Sequence, residues 1–325
     1  MSGARLLLTD LAEGLFADLR GRDFAAGWPK LAEAGFSSLL IGEEEGGFGG
    51  DWGDLFAVMR LAGYHALPLP LGETIVAHWL LRQSGIAPPE GPLTLIADGN
   101  RAPWGRHASA IVRVEGGQVQ LFTGEDCQWE EGASPSGEPR DRALRLGDPT
   151  GAAPCDVDLY AIGAFLRVAQ VAGALDAALA LSIDHANTRV QFGKPLAKLQ
   201  AVQQNLASLA AEAAAVNIAG QAAAAALDHS DAGFEIAAAK VRTNIAIGIG
   251  VAIAHQVHGA IGYTQDYALH SLTSRLMGWR SEYGNDMFWS IKLGRGVAQS
   301  SGAGLWHEMT ARSDRLLADR FLVQQ

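Results

Sequence analysis

Two periodicities divide the chain. Up to about residue 85 the apolar positions recur at helical spacing; Trp28, Leu31 and Ala32 share one face, and Gly35 closes that helix. The stretch "SSLLIGEEEGGFGGDWGDL" is a short apolar segment, an acidic glycine-rich loop and a new helix start, with Asp51 or Asp54 as the candidate cap. In "ASAIVRVEGGQVQLF" the period drops to two, which predicts two strands joined at Gly116-Gly117. The following "EEGASPSGEPRDRALRLGDPTGAAP" reads as loop. From about residue 158 the chain is helical again and rich in alanine, and Leu199, Val202, Leu206 and Leu209 form a core-facing stripe. The pattern predicts a mainly α protein with a small β domain: a helical domain over 1–90, a short β-domain over 91–157 and a helical bundle over 158–325.

Composition narrows the chemistry. Hydrophobic residues make up 48% of the 325, enough for a sizeable core, and the net charge of -10 argues against nucleic acid, which needs a basic face. Cys127 and Cys155 stand in no metal-ligand spacing and make no disulfide framework, so a reducing cytoplasm is the expectation. The N-terminal "MSGARLLLTDLAEGLFADLR" is amphipathic and acidic, without a signal-peptide core. The most apolar run, "TNIAIGIGVAIAHQVHGAIGY", is interrupted by His255 and reads as a buried helix too short to span a bilayer. No metal site is expected. His307-Glu308 starts a zinc-type motif but Ala311 stands where its second histidine would be, and Glu43, Glu44 and Glu45 read as a solvated turn. "GIGVA" lacks the preceding strand and third glycine of a dinucleotide loop and reads as helix packing. The tryptophans read as core or interface anchors, and His255 and His258 as packing or hydrogen-bonding residues.

The chemistry concentrates in "TRVQFGKPLAKLQAVQQNLA", where a short charged loop separates two helical runs. Arg189 offers a permanent charge and a planar fork of donors suited to phosphate or carboxylate. Phe192 offers a flat apolar face, for a ligand or as a plug in the core, and Gln200 and Gln203 follow on the next helix. Downstream stands "AHQVHGAIGYTQDYALH". Together the two stretches resemble the acyl-CoA dehydrogenase family, with its R-x-x-FGKPL loop, its Q-x-(V/L)-Q helix and its later Q-x-x-GG-x-GY segment. "WPKLAEAGFSSLLIGEEEGGFGGDWGDL" is similar to the family's N-terminal segment, so the resemblance covers most of the chain.

That resemblance implies the acyl-CoA dehydrogenase fold: an N-terminal helical domain, a middle β-domain and a C-terminal four-helix bundle. It implies FAD, and oxidation of a CoA thioester between Cα and Cβ with a carboxylate as base. By the family's pattern Arg189 would pair with the FAD pyrophosphate; Gln191, Phe192 and Gln200 would line the cofactor; Gln256, Gly259 and Ala260 would form the opposite wall, Ala260 replacing the usual second glycine. Two family features are missing. The base positions carry Gly163 and Ala164 in one case and Tyr283 in the other, with Glu282 one residue out of register as a weak alternative. The T-E-P-x-x-G-S-D run of the flavin-ring pocket is absent from "PLTLIADGNRAPWGRHASAIVRV". The chain thus resembles the base-lacking subunit of the bacterial heteromeric (α2β2) dehydrogenases of steroid side-chain breakdown. Its expected partners are a homologous catalytic subunit, an acyl-CoA bound through that subunit, and an electron-transfer flavoprotein. Two other readings stand beside this one: a self-sufficient homomeric dehydrogenase with Glu282 or another carboxylate as a displaced base, and a structural subunit without cofactor.

Overall fold

The computed structural model describes residues 3–97, 99–229, 232–299, 306 and 310–312. His307 and Glu308 lie outside the described residues. Four helices come first: α1 (Gly3–Leu19), α2 (Phe24–Glu33), α3 (Trp52–Tyr64) and α4 (Leu71–Gln83). Both candidate caps of α3 serve. Asp51 accepts from the Asp54 amide at 2.7 Å and Asp54 accepts from the Asp51 amide at 3.1 Å, a reciprocal capping box. Gly35, at φ 75°, turns the chain out of α2. The buried face of α2 is Gly27 and Leu31, with Phe24 and Trp28 half-buried, whereas Ala32 is exposed.

Seven strands follow: β1 (Leu93–Ile96), β2 (Arg101–Pro103), β3 (Ala110–Glu115), β4 (Gln118–Thr123), β5 (Gln128–Glu130), β6 (Arg140–Arg145) and β7 (Gly151–Pro154). They form one sheet in the order β1-β3-β4-β7, with β1 parallel to β3, and a second in the order β2-β6-β5. Gly116 and Gly117, at φ 61° and 75°, make the two-residue β3–β4 turn. One face of β1 and β3, with Leu93, Leu95, Ala110 and Val112, joins the main core; Ile96 and Ile111 form a small core with Ala102, Phe122 and Ala143. The stretch read as loop contains β6 and β7. In β6 the inward residues are Asp141 and Ala143, so a buried charge hides the alternation, and β7 is a run of small residues on the sheet edge.

The remainder is α5 (Leu159–Thr188), a hairpin of β8 (Val190–Gln191) and β9 (Lys194–Pro195), then α6 (Gln200–Leu227), α7 (Gly233–His258), α8 (Ala268–Ser281) and α9 (Asp286–Gln299). Helix α5 is the central column, packed against α3, α6, α7 and α8. It meets α3 backbone to backbone: a Cβ on Gly173 would fall 1.7 Å from the Arg60 carbonyl oxygen, and one on Gly63 would fall 1.9 Å from that of Gln170. Helix α7 runs unbroken through His255, so the expectation of a run too short to span a bilayer is corrected. Two segments, Leu159–Thr188 and Gly233–Tyr263, are long and apolar enough to cross a membrane by length and composition alone. The first is 78% buried over its most apolar window, as a core helix is; the second is 39% buried.

Candidate functional site: a hairpin pocket and a closed interior

The chain between α5 and α6 turns on Phe192 and Gly193, both at positive φ (53° and 75°). With Val190 paired to Pro195 and Gln191 to Lys194, this is a two-residue hairpin of the type that needs left-handed residues at both central positions. A phenylalanine there costs roughly 1–3 kcal/mol of backbone strain. The residue is 86% exposed, so it is no core plug. The hairpin is closed by the Leu196 amide donating to the Arg189 carbonyl at 2.9 Å. Arg189 itself caps the end of α5, and its guanidinium makes no ion pair among the described residues.

Below the hairpin lies a pocket of about 510 Å³. Arg189, Gln191, Phe192, Gln256, Gly259 and Ala260 all line it. Gln200 does not; it is exposed at the first position of α6, and its neighbours Leu199, Ala201 and Val202 line the pocket instead. The start of α6 carries no side-chain cap, which leaves amide donors and the positive end of a 28-residue helix beside Arg189. Gly259 has φ 64° and ψ -143°, a conformation open essentially to glycine alone; Ala260 has no positive φ and tolerates its methyl.

Other lining residues escaped the sequence reading: His185, Leu196, Asn205, Val257 and Ile261. His185 sits one helical turn before Arg189, a spacing that could have flagged it. The predicted core stripe divides: Leu209 is fully buried, while Leu199, Val202 and Leu206 are half-buried and pack with Leu196. His255 and His258 make packing and hydrogen-bond contacts. His255 Nε2 lies 3.2 Å from Thr273 Oγ1 and its ring stacks on Tyr263; His258 stacks on His185. Burial, then His258 and Arg189, push the His185 imidazole below its usual range.

The second place of interest is where α5, α8 and the β section meet. The two positions at which the resemblance would put a base are in contact, with the buried Tyr283 ring lying on Gly163; Ala164 is fully buried beside them. One turn along α5, Arg167 is buried in a charged cluster. Its Nη2 donates to Glu73 Oε1 at 2.8 Å, its Nε to Glu282 Oε2 at 2.7 Å and its Nη1 to Gln170 Oε1 at 2.5 Å. Arg140 reaches Glu282 Oε2 at 2.8 Å, and Arg275 reaches Glu138 at 3.0 Å. Burial alone would raise the Glu282 carboxyl, but Arg167 and Arg140 outweigh it and hold the group below the usual carboxylate range. Burial also opposes charge on Arg167, and Glu282 and Glu73 more than reverse that. The cavity that Glu73, Arg140, Arg167, Gln170 and Glu282 help to line is about 20 Å³, room for about one water molecule. Glu282 is therefore an ion-paired interior carboxylate, poorly suited to take a proton from a substrate.

No group of three or more His, Cys, Asp or Glu suited to a metal occurs among the described residues. Cys127 and Cys155 are both free.

Residues 161–286, which contain the whole hairpin pocket, match the family "Acyl-CoA dehydrogenase, C-terminal domain". The chain is similar to the acyl-CoA dehydrogenase IpdE2 of Mycobacterium tuberculosis, with 28% identity over 263 residues, 77% of this chain and 80% of that protein. Its fold is similar to that of the ChsE4–ChsE5 complex of Mycobacterium tuberculosis (TM-score 0.83, 20% identity, 93% of this chain and 99% of that one). It is also similar to the Tcur3481–Tcur3483 steroid ACAD (TM-score 0.80, 21% identity, 92% and 98%). Residues 161–286 thus match the C-terminal domain of the acyl-CoA dehydrogenases, and the chain as a whole has the acyl-CoA dehydrogenase fold.

Proposed function

We propose that this chain is the chemically incomplete subunit of a heteromeric acyl-CoA dehydrogenase, lending its hairpin pocket to the nucleotide end of an FAD whose ring is held by a homologous catalytic partner. The observation that carries the reading is the contrast between two of the cavities among the described residues. The pocket under Arg189 is roomy, at about 510 Å³; where the resemblance would put the base, the buried Tyr283 ring packs on Gly163, and the nearby cavity lined by Arg167 and Glu282 is about 20 Å³.

The pocket's chemistry fits FAD. Arg189 and the uncapped start of α6 would hold the pyrophosphate, one as a charged fork and the other as backbone donors. Leu196, Leu199 and Val202 offer an apolar floor for a flat ring. Gly259 permits close backbone approach. Phe192, held outward on its strained turn, would face the cofactor and the neighbouring subunit together. FAD supplies the hydride acceptor for α,β-dehydrogenation of an acyl-CoA. This chain's residues would bind and orient the cofactor and exclude water from its nucleotide half, while the base that removes the α-proton belongs to the partner.

The names of the similar proteins support the partner and substrate class. Two of them are complexes of unlike chains, and one is described as a steroid ACAD, so the proposed substrate is the CoA thioester of a steroid-derived acid. A self-sufficient homomer would need Glu282 or another carboxylate as a displaced base, and the pairing of Glu282 with two arginines speaks against Glu282 in that role. The test is turnover. The purified chain, given acyl-CoA and an artificial electron acceptor, is expected to match a no-enzyme control, and adding the catalytic homologue should restore activity. Robust oxidation by the single chain would overturn the reading.

A further inference from the structure

His258 lies on the pocket wall and is only 5% exposed. Its Nδ1 is 2.8 Å from the Ala254 carbonyl oxygen. A carbonyl only accepts, so Nδ1 carries the hydrogen, and in the neutral ring Nε2 is then a bare acceptor. That Nε2 is buried and has no hydrogen-bond partner among the described residues. The ring is clamped between His185, stacked at 4.6 Å, and Tyr267, tilted at 5.2 Å, which holds it in place. Buried polar atoms in folded proteins are nearly always satisfied, and an unsatisfied one on a pocket wall points to a ligand group.

We propose that His258 Nε2 accepts a hydrogen bond from a donor on the nucleoside part of the bound cofactor, either the exocyclic amine of the base or a sugar hydroxyl. The inference rests on the reading of the pocket as a nucleotide site and adds a specificity residue to it. Arg189 at the hairpin answers the anionic part of such a ligand, Leu196 and Leu199 its flat ring, and His258 the directional donor that distinguishes one nucleoside from another. A buried acceptor rejects a ligand that lacks the matching donor, because the acceptor then stays unpaired.

The experiment measures binding of ADP, inosine diphosphate, 2′-deoxy-ADP and 3′-deoxy-ADP to the full-length chain and to its His258→Phe variant by calorimetry. Phenylalanine keeps the ring stack and removes the acceptor. The wild-type chain should bind ADP about tenfold more tightly than one of the three analogues, the scale of one hydrogen bond. His258→Phe should lose that preference, weakening ADP about tenfold while binding the same analogue as the wild type does. Unaltered binding of the analogue also shows that the variant is folded. Equal affinity of the wild-type chain for all four probes, or an undiminished preference in His258→Phe, overturns the assignment of His258 and leaves the pocket reading intact. ADP binding that is absent from the wild-type chain, or that survives Arg189→Ala unchanged, overturns the pocket reading and this inference with it.

Discussion

The Tyr283 ring packs directly on Gly163: a Cβ added to Gly163 would lie 2.5 Å from Tyr283 Cε1. The resemblance to the family would put the base at one or other of these positions, and here each residue fills the space the other leaves. Tyr283 also sits at φ 51°, unfavourable for a bulky side chain, so the packing has to hold it there. In an open helix, replacing glycine by alanine stabilises by about 1 kcal/mol. Here the sign should reverse. Gly163→Ala is expected to destabilise by about 1–3 kcal/mol through overpacking, read as a lower denaturant midpoint. A variant more stable than the parent would mean that the ring is not held against α5.

Glu282 is predicted to matter for stability and not for proton transfer. Its folded pKa is depressed, so its contribution is fully present above the unfolded glutamate value, about 4.3, and is lost as pH falls through the lower folded value. Glu282→Gln leaves Arg167 and Arg140 short of a buried partner and should cost about 3 kcal/mol at neutral pH. The gap between variant and parent should narrow in acid. A reconstituted complex carrying this variant should keep most of its turnover per folded molecule. Full stability with abolished turnover would instead identify Glu282 as the base.

Arg189→Ala is predicted to strip flavin from the assembled complex. Its guanidinium makes no ion pair among the described residues, so little of the fold depends on it. A charge-assisted contact to a phosphate is worth about 1.5–3 kcal/mol, roughly 10- to 100-fold in affinity. Flavin absorbance should fall while the helical circular dichroism is unchanged. Retained flavin would remove Arg189 from the site.

Lys240 is buried with its Nζ donating to the Trp279 carbonyl at 2.8 Å and to Asn244 Oδ1 at 3.0 Å, holding the end of α8 against α7. Burial pushes its pKa down to about 7. Because the unfolded lysine binds its proton more tightly, stability should rise with pH from about 7 toward the unfolded value near 10.4. Lys240→Met removes that rise and leaves two buried acceptors unpaired, which costs about 1–3 kcal/mol each. Unfolding curves at pH 7 and pH 9 for both proteins check this; a parallel rise in the variant would assign it to another group.

The sequence carries local periodicity well and distant pairing poorly, and the particular residues bear this out. The β3–β4 turn was legible because Gly116-Gly117 is a familiar hairpin pair. The Phe192-Gly193 hairpin was not, because phenylalanine is a poor residue for positive φ and only the surrounding motif pointed to the spot. The pocket's predicted walls came from short motifs, and six of the seven residues line one cavity. The charged interior was illegible: Arg167 meets Glu73 across 94 positions and Glu282 across 115. Nothing in either local pattern predicts a buried ion pair, since charged side chains ordinarily mark exposed faces.

The proposed function also requires a second subunit, and α7 offers a surface for one. Ile245, Gly248, Ile249 and Ala252 are exposed at the spacing of one helix face, with no charge among them, and the same face continues to Gln256 at the pocket. Scattered exposed apolar residues are normal, but a continuous stripe leading to a ligand pocket is the pattern of a covered face. A methyl placed on Gly248 would meet nothing within 4 Å, which leaves room for another helix to come close. We therefore expect a dimer or tetramer, with its partner present, built through the C-terminal helices. The double substitution Ile245→Asp and Ile249→Asp should reduce the mass by light scattering at micromolar concentration. It should leave the monomer's helical content intact, since both side chains already face outward. If the assembly survives this change, the contact lies on another face; if the unsubstituted chain and its partner stay monomeric, the sharing of one cofactor between subunits fails as an idea.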